Sequence, residues 1–252
     1  MDTEKCEIYD LSIVSQDTLL VCKGSFLQWK VELVSSQTGK VLSQLELKGQ
    51  PWRVNLVGRN KAAVTLSGQM VYLIKIKRNT LVEDKVLKAS GEVFGITKSG
   101  DNLVVTYREQ PLLEMISMTG KVLRRFHSTE KSQHFELPDF ITTSPDGTLW
   151  ISDCGNNTIT KMDAGLNILQ TFTSQLLADP CGISAVTEDQ VLVCSAGNNS
   201  LVLLQPSTNT MSTLLGKDDG MEHSFSLTYC PQKRTLFVAS YWADSIKVFR
   251  FT

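Results

Sequence analysis

Long apolar runs are missing from this 252-residue sequence. The longest, from Met70 to Ile74, stops at Lys75, far short of the roughly 18 residues that a membrane-spanning helix needs. The first ten residues, MDTEKCEIYD, carry acids and no apolar h-region, so no secretory signal peptide is expected. Both absences point to a cytoplasmic chain with no membrane partner. Helical periodicity is missing as well. The segment 174–179 has room for one turn at most, which argues against helical bundles and alternating βα folds. Neither sign of charge is in excess: 25 Lys and Arg against 26 Asp and Glu give a net charge of −1, which argues against a bulk polyanion binder.

Metal and nucleophile signatures are equally sparse. The six cysteines (Cys6, Cys22, Cys154, Cys181, Cys194, Cys230) form no CxxC pair, and the three histidines (His127, His134, His223) are scattered. A zinc module of the RING or B-box sort is thereby excluded from these residues. No GxSxG occurs and no histidine stands in an organised context, so a Ser-His-Asp triad has no local signature. Most cysteines end apolar runs such as LLVC and VLVC. They read as small buried core residues in a reducing compartment, where the sequons at Asn156 and Asn198 are accidental.

What the sequence does have is a repeat. An apolar alternating strand, a small or acidic residue, a four-residue turn and a second apolar strand recur six times. The clearest copies are LWISDCGNNTITKM from Leu149, LVCSAGNNSLVLL from Leu192 and LFVASYWADSIKVF from Leu236. Three weaker ones start at Leu19, Ala62 and Leu103. The residue that ends the first strand of each copy is Cys22, Thr65, Thr106, Asp153, Ser195 and Ser240, at spacings of 43, 41, 47, 42 and 45. Upstream strands closing in turns such as SGDN and SPDG, and downstream strands such as VLSQLEL, VLRRF and ILQTFT, complete four-stranded antiparallel units. Units of this length that cannot bury both faces alone predict an all-β fold, a six-bladed β-propeller of four-stranded blades forming one domain over residues 1–252. With the first inner strand starting near Asp10, Met1 to about Glu7 are short for a strand plus a loop. The last blade is therefore expected to have a short or missing outer strand, or the chain to be cut from a longer protein.

The stretch GTLWISDCGNNTITKMDAG, from Gly147 to Gly165, resembles the NHL repeat, in which an apolar strand is followed by D-x-x-N, a short strand and a Gly turn. The fifth unit has Ser195 in place of the Asp and keeps Asn198 and Asn199, the sixth has Ala243-Asp244 in place of the Asn pair, and the first three units lack both. By period the resemblance covers the whole chain. By specific residues it holds only from about Pro138 onward. It implies a relative of the NHL propellers that form the C-terminal end of TRIM-type, RING-containing ubiquitin ligases, where the propeller selects a substrate or binds RNA and the chemistry belongs to a separate RING.

In a propeller of this strand order, one face gathers the loops between blades and those between second and third strands. Phe26, Trp52, Arg53, Tyr107, Arg108, Glu109, Phe225, Tyr241 and Trp242 map there. Aromatic residues and Arg on a rigid scaffold make good interface anchors, so a protein or peptide partner is expected on this face of a monomeric, non-enzymatic module. Plugging between blades is the alternative for Trp52 and Phe225, whereas Trp29 and Trp150 lie within strands and belong to the core. Residues 1–130 carry a net charge of +4 and residues 131–252 one of −5. Arg53, Arg108 and Lys23 near Trp52, Tyr107 and Phe26 make single-stranded RNA the second candidate ligand. A calcium-dependent lactonase or esterase is the third. Its cage would draw on Asp10, Glu92, Asp139, Asp153, Asn156 and Asp179. Apolar starts of the inner strands (Leu11, Val54, Phe94, Phe140, Ile183, Phe225) and the turn-capping position of Asp153 oppose it. No cofactor is implied.

Overall fold

A computed structural model describes residues 6–25, 28–108, 112–127 and 134–251. Phe26 and Glu109, two of the expected anchors, lie outside the described residues. Nearly all of the chain is β-structure, arranged as the six antiparallel meanders of a six-bladed β-propeller. The first sheet holds β1 (Glu7–Ser15), β2 (Thr18–Gly24), β3 (Trp29–Ser35) and β4 (Val41–Leu47). The second holds β5 (Pro51–Gly58), β6 (Lys61–Leu66), β7 (Met70–Lys77) and β8 (Thr80–Lys88). The third is β9 (Val93–Ser99), β10 (Asn102–Tyr107), β11 (Leu112–Ser117) and β12 (Val122–His127). The fourth is β13 (Pro138–Thr143), β14 (Leu149–Asp153), β15 (Thr158–Met162) and β16 (Ile168–Thr173). The fifth is β17 (Pro180–Thr187), β18 (Gln190–Ser195), β19 (Ser200–Gln205) and β20 (Thr210–Leu215). The sixth, among the described residues, has three strands: β21 (Ser224–Cys230), β22 (Thr235–Ser240) and β23 (Ile246–Arg250).

The repeated residue found in the sequence lies at or within two residues of the end of the second strand of each sheet, and its side chain explains why it recurs. The first strand of a sheet enters through a kink. Register shifts separate Ile8 from Asp10, Pro51 from Arg53, Pro138 from Phe140 and Pro180 from Ile183. Proline belongs at such a place, because it opens the strand and has no ladder N–H to lose. The kink leaves backbone N–H groups without a strand partner, and the repeated side chain accepts them. Thr65 Oγ1 accepts from Arg53 N (3.0 Å), Thr106 Oγ1 from Gly95 N (2.9 Å) and Ser195 Oγ from Ala178 N (2.9 Å). Asp153 accepts from Glu136 N (2.7 Å) and Leu137 N (2.9 Å), and from Gly155 N and Asn156 N in its own turn. All four of these residues are fully buried. Gly95 is required at its kink: a Cβ there would sit 2.7 Å from Thr106 Oγ1 and 3.1 Å from the Asp139 carbonyl oxygen.

The chain divides into two compact units, residues 1–93 with 226–252 and residues 94–225. In the first, Leu20, Val31, Leu33, Val64, Leu66, Tyr72 and Ile74 pack into one core, and Ile8, Leu11, Leu19, Val21, Phe237 and Ala239 into another. Its inner strands interlock through side chains that satisfy the next strand's free edge. Asp10 accepts from Val54 N (2.8 Å), Ser12 from Leu56 N (3.2 Å) and Ser226 from Leu11 N (3.2 Å). In the second unit Val104, Leu113, Phe135, Ile141, Leu149 and Ile151 form the core. There the second Asn of the NHL-like turn does the linking. Asn157 Oδ1 accepts from Asp179 N (2.7 Å) and Asn199 Oδ1 from His223 N (2.8 Å), both asparagines holding the left-handed conformation they tolerate well.

One detail differs from the sequence reading. β1 starts at Glu7, three residues before Asp10, because Ile8 is buried and carries the strand outward. On the third strand of the second sheet, β7, Lys75 pairs with Asp84 of β8. Replacing Asp153 by Ala should lower unfolding free energy by about 2–4 kcal/mol in urea denaturation, since several buried N–H groups lose a charged acceptor; Asp153→Asn should lose clearly less.

Candidate functional site

The expected anchors divide between the two units. In the first, the turn from β22 to β23 closes with Ala243 N donating to the Ser240 carbonyl (3.2 Å), and Ala243 in turn accepts from Ile8 N of β1 (3.1 Å). Trp242 sits in this turn in the left-handed region, at φ 55°, and is 65% exposed. Its ring lies against that of Tyr241, centroids 5.5 Å apart. A bulky residue held at positive φ is uncommon and costs energy, so the turn presents the indole outward at the expense of backbone comfort.

Trp52 and Arg53 follow the kink at Pro51. Trp52 is half-buried and Arg53 is buried, with its Nη1 donating to the Trp52 carbonyl (2.7 Å). Burial pushes the Asp10 carboxyl up. The Arg53 guanidinium, the Ser226 hydroxyl (2.6 Å) and Val54 N pull it back. Arg53 is therefore a structural cation facing a buried acid rather than a charge offered to solvent.

In the second unit, Tyr107 is buried and its hydroxyl donates to Glu114 Oε2 (2.5 Å), while Arg125 Nε holds Glu114 Oε1 (2.7 Å). Arg108 is partly exposed. Its Nη2 meets Asp139 Oδ2 at 2.9 Å, and its guanidinium lies 5.1 Å from the centre of the Phe94 ring. Phe225 packs edge-on against Phe140 at 5.1 Å, within a set of buried strand starts that includes Phe94 and Ile183. The Cys154 thiol lies 3.9 Å from Asp139 Oδ2. Burial, then the carboxylates of Asp139 and Asp179, push it up to about 12, so it is protonated and unreactive at neutral pH.

The structure thus joins Tyr241 with Trp242, and Trp52 with Arg53, but turns Tyr107 and Phe225 into the core. Of the acids weighed for a calcium cage, Asp10, Asp139 and Asp153 are engaged by Val54 and Ser226, by Arg108, and by backbone N–H groups respectively. Among the described residues no three His, Cys, Asp or Glu side chains come together as a metal-binding group. One contributor escaped the sequence reading: Glu114, in the apolar run LLEMI. The isolated acid in that run was the available signal, since a buried carboxylate demands a basic partner such as Arg125.

No family model matches the chain, and no curated protein matches it. Solved structures do. A catalytically inactive variant of virginiamycin B lyase from Staphylococcus aureus, with quinupristin, aligns over 98% of this chain and 82% of its own, at 16% identity and a TM-score of 0.71. The β-propeller domain of Cps50 (Swd1) from Myceliophteria thermophila covers 97% of this chain and 83% of its own, at 17% identity and a TM-score of 0.69. A streptogramin B lyase covers 100% and 85%, at 14% identity and a TM-score of 0.70. At these identities the likeness establishes the propeller fold and nothing finer.

Two outcomes follow from the buried charges. Arg108→Ala should lose about 1–2 kcal/mol of stability, because Asp139 keeps a buried charge without its cation, and adding Asp139→Asn should recover most of that loss in denaturant titrations. For Asp10 the sign is set by its raised carboxyl: between its folded and unfolded values the native state holds more protons than the unfolded chain. Stability of the wild type relative to Asp10→Asn should therefore rise as pH falls from 7 to 4, as read by thermal melts of both proteins across that range.

Proposed function

We propose that this chain is a non-enzymatic recognition module that binds a protein or peptide, with the Tyr241–Trp242 turn as its anchor. The exposed indole carries this reading. A tryptophan that is 65% open to solvent, braced by a tyrosine and held in a tight turn, offers a large contact area at little cost in conformational entropy. The two lyases named above share the fold with this chain, not enough sequence to share an activity, and the acids and thiol described above serve the framework.

The NHL-like stretch from Gly147 to Gly165 supports a finer version, in which the module is the substrate-selecting end of a TRIM-type ubiquitin ligase and works as a monomer in the cytoplasm. No helix among the described residues is long and apolar enough to cross a membrane, which accords with that setting. Trp242→Ala should abolish capture of a protein partner from cell extract while shifting the melting temperature by no more than a degree or two, because the ring is largely outside the core. Capture that survives Trp242→Ala overturns the anchor. Material that ribonuclease removes and that is lost steeply with added salt assigns the ligand to single-stranded RNA instead.

A further inference from the structure

The second sheet carries a charge of its own. Its residues, 51–88, hold eight Lys and Arg against two Asp and Glu, a net of +6 in a chain whose net charge is −1. Both acids are already engaged, Asp84 by Lys75 and Lys61 and Glu83 by Lys48. Three of the remaining cations collect at one end of the sheet. The turns from β5 to β6 and from β7 to β8 are two-residue hairpins, with Gly58 facing Lys61 and Lys77 facing Thr80. Each tip reads Arg-Asn: Arg59-Asn60 and Arg78-Asn79. Ile76 N donates to the Asn60 carbonyl (2.9 Å), which sets the two tips side by side. Arg59, Lys77 and Arg78 are exposed there, and none of them makes an ion pair among the described residues. Arg78 stands at φ 47° and Asn79 at φ 64°. Such a tip suits Asn, Asp or Gly, so a cation is held at its first position at a cost in backbone energy.

Like charges on adjoining tips repel one another, and a negative group placed among them relieves that repulsion. The residues before Glu7 enter elsewhere. β1 and β5 run in the same direction, since Asp10 accepts from Val54 N and Ser12 from Leu56 N, so the chain reaches Glu7 at the end of these strands opposite the Arg-Asn tips, about 20 Å away. The surroundings discriminate among anions. The two aromatic residues of the second sheet do not serve this end: Trp52 follows the kink at the far end of β5 and Tyr72 is buried, so nucleic-acid bases find no platform to stack on. Val82, 40% exposed, lies opposite Lys75, and Asn60 and Asn79 are exposed beside the cations. Amides can bond a peptide backbone, a valine can cover an apolar side chain, and guanidinium groups pair carboxylates through two hydrogen bonds. From the two Arg-Asn tips, the excess of exposed cations and the valine beside them, we infer that this end of the second sheet binds an acidic, extended segment of a partner protein. Its carboxylates meet Arg59, Lys77 and Arg78, and an apolar residue among them meets Val82. The inference rests on the reading of the chain as a recognition module but not on Trp242, which belongs to a turn of the sixth sheet.

The test uses the whole chain and a labelled synthetic peptide, DEEVDEE, with its uncharged counterpart NQQVNQQ as control, at about 150 mM salt. The expected result is saturable binding by fluorescence anisotropy that the uncharged peptide lacks and that weakens as salt rises. Arg59→Gln together with Arg78→Asn should weaken binding at least ~10-fold. The melting temperature should hold or rise, because Asn suits the left-handed position better than Arg. Lys85→Gln together with Lys88→Gln removes the same charge toward the other end of the sheet and should weaken binding by no more than ~2-fold. Trp242→Ala should leave this binding unchanged, which separates failure here from failure of the anchor. Equal binding of NQQVNQQ, or a loss as large from the Lys85 and Lys88 changes as from those at the tips, overturns the inference. So does binding of oligouridylate, or of vesicles containing phosphatidylserine, that is tighter than that of DEEVDEE and is lost with the same tip changes, since the surface then belongs to a nucleic acid or a membrane.

Discussion

The structure depends on how each inner strand begins. A sheet that must turn sharply into its first strand breaks its ladder there, and every break exposes backbone N–H groups where water has no access. A buried, unsatisfied amide costs on the order of 1–3 kcal/mol, and four such entries left unsatisfied would consume most of the stability of an ordinary domain. Thr65, Thr106, Asp153 and Ser195 remove that cost with one side chain each, all from the last or next-to-last position of the second strand. A short hydroxyl or carboxylate is the only kind of group that reaches the kink without overfilling it, which is why the position tolerates Thr, Ser and Asp. In the sixth sheet Ser240 Oγ is buried and finds no partner among the described residues, and in the first sheet the position holds Cys22, a thiol kept protonated by burial. Those are the two sheets where β1 and β22 meet, and there Asp10 and Ser226 carry the linking instead.

The second constraint is that a strand at the inner edge of a meander has neighbours on one side only. The free edge is a liability in any sheet. Here it is met by short polar side chains of the adjacent inner strand: Asp10, Ser12 and Ser226 in one unit and, in the other, Thr143, whose hydroxyl donates to the Lys98 carbonyl. With the entries clamped and the inner edges saturated, the framework no longer needs the loops for stability. Turns such as 240–243 are then free to carry a strained residue like Trp242, whose conformation would be lost in a softer scaffold.

Most of the framework was legible in the sequence because its periodicity reports burial directly. The six repeat positions fall at or within two residues of the ends of β2, β6, β10, β14, β18 and β22, and the inner strands that contain Val54, Phe94, Phe140, Ile183 and Phe225 all exist, each opening one to three residues earlier. Outer strands were harder to read. β8 and β20 carry EDK and TMST segments whose solvent-facing residues hide the apolar alternation, since only one side of such a strand is covered. The site was least legible, for a physical reason. Aromatic residues next to turns look alike in sequence whether the ring faces out or in. Tyr107 ends one apolar strand and Trp242 follows another, yet Glu114 draws the Tyr107 hydroxyl into the core, while the Trp242 indole stays 65% exposed. Long-range pairing of that sort has no signature in local sequence. The Asn pairs, by contrast, were noticed as a motif before their role was visible: Asn157 and Asn199 tie one sheet to the next.

The same chemistry narrows what the molecule can do with a ligand. Glu32 and Glu114 occupy matching positions on third strands, each buried and each held by cations, Lys23 and Lys30 in one case and Arg125 in the other. Asp139 is paired with Arg108, Asp153 with backbone, and the thiols of Cys154 and Cys194 are pushed far above neutrality by burial. A group that already satisfies buried donors cannot abstract a proton or attack a substrate without first abandoning them, and a protonated thiol is a poor nucleophile. What the described surface of the first unit keeps in reserve is of a different kind: an indole, a cluster of exposed cations and a few exposed valines. Such groups act by excluding water and by pairing with opposite charge, which select a partner by shape and electrostatics. The recognition role proposed above rests on this distribution of satisfied and unsatisfied groups.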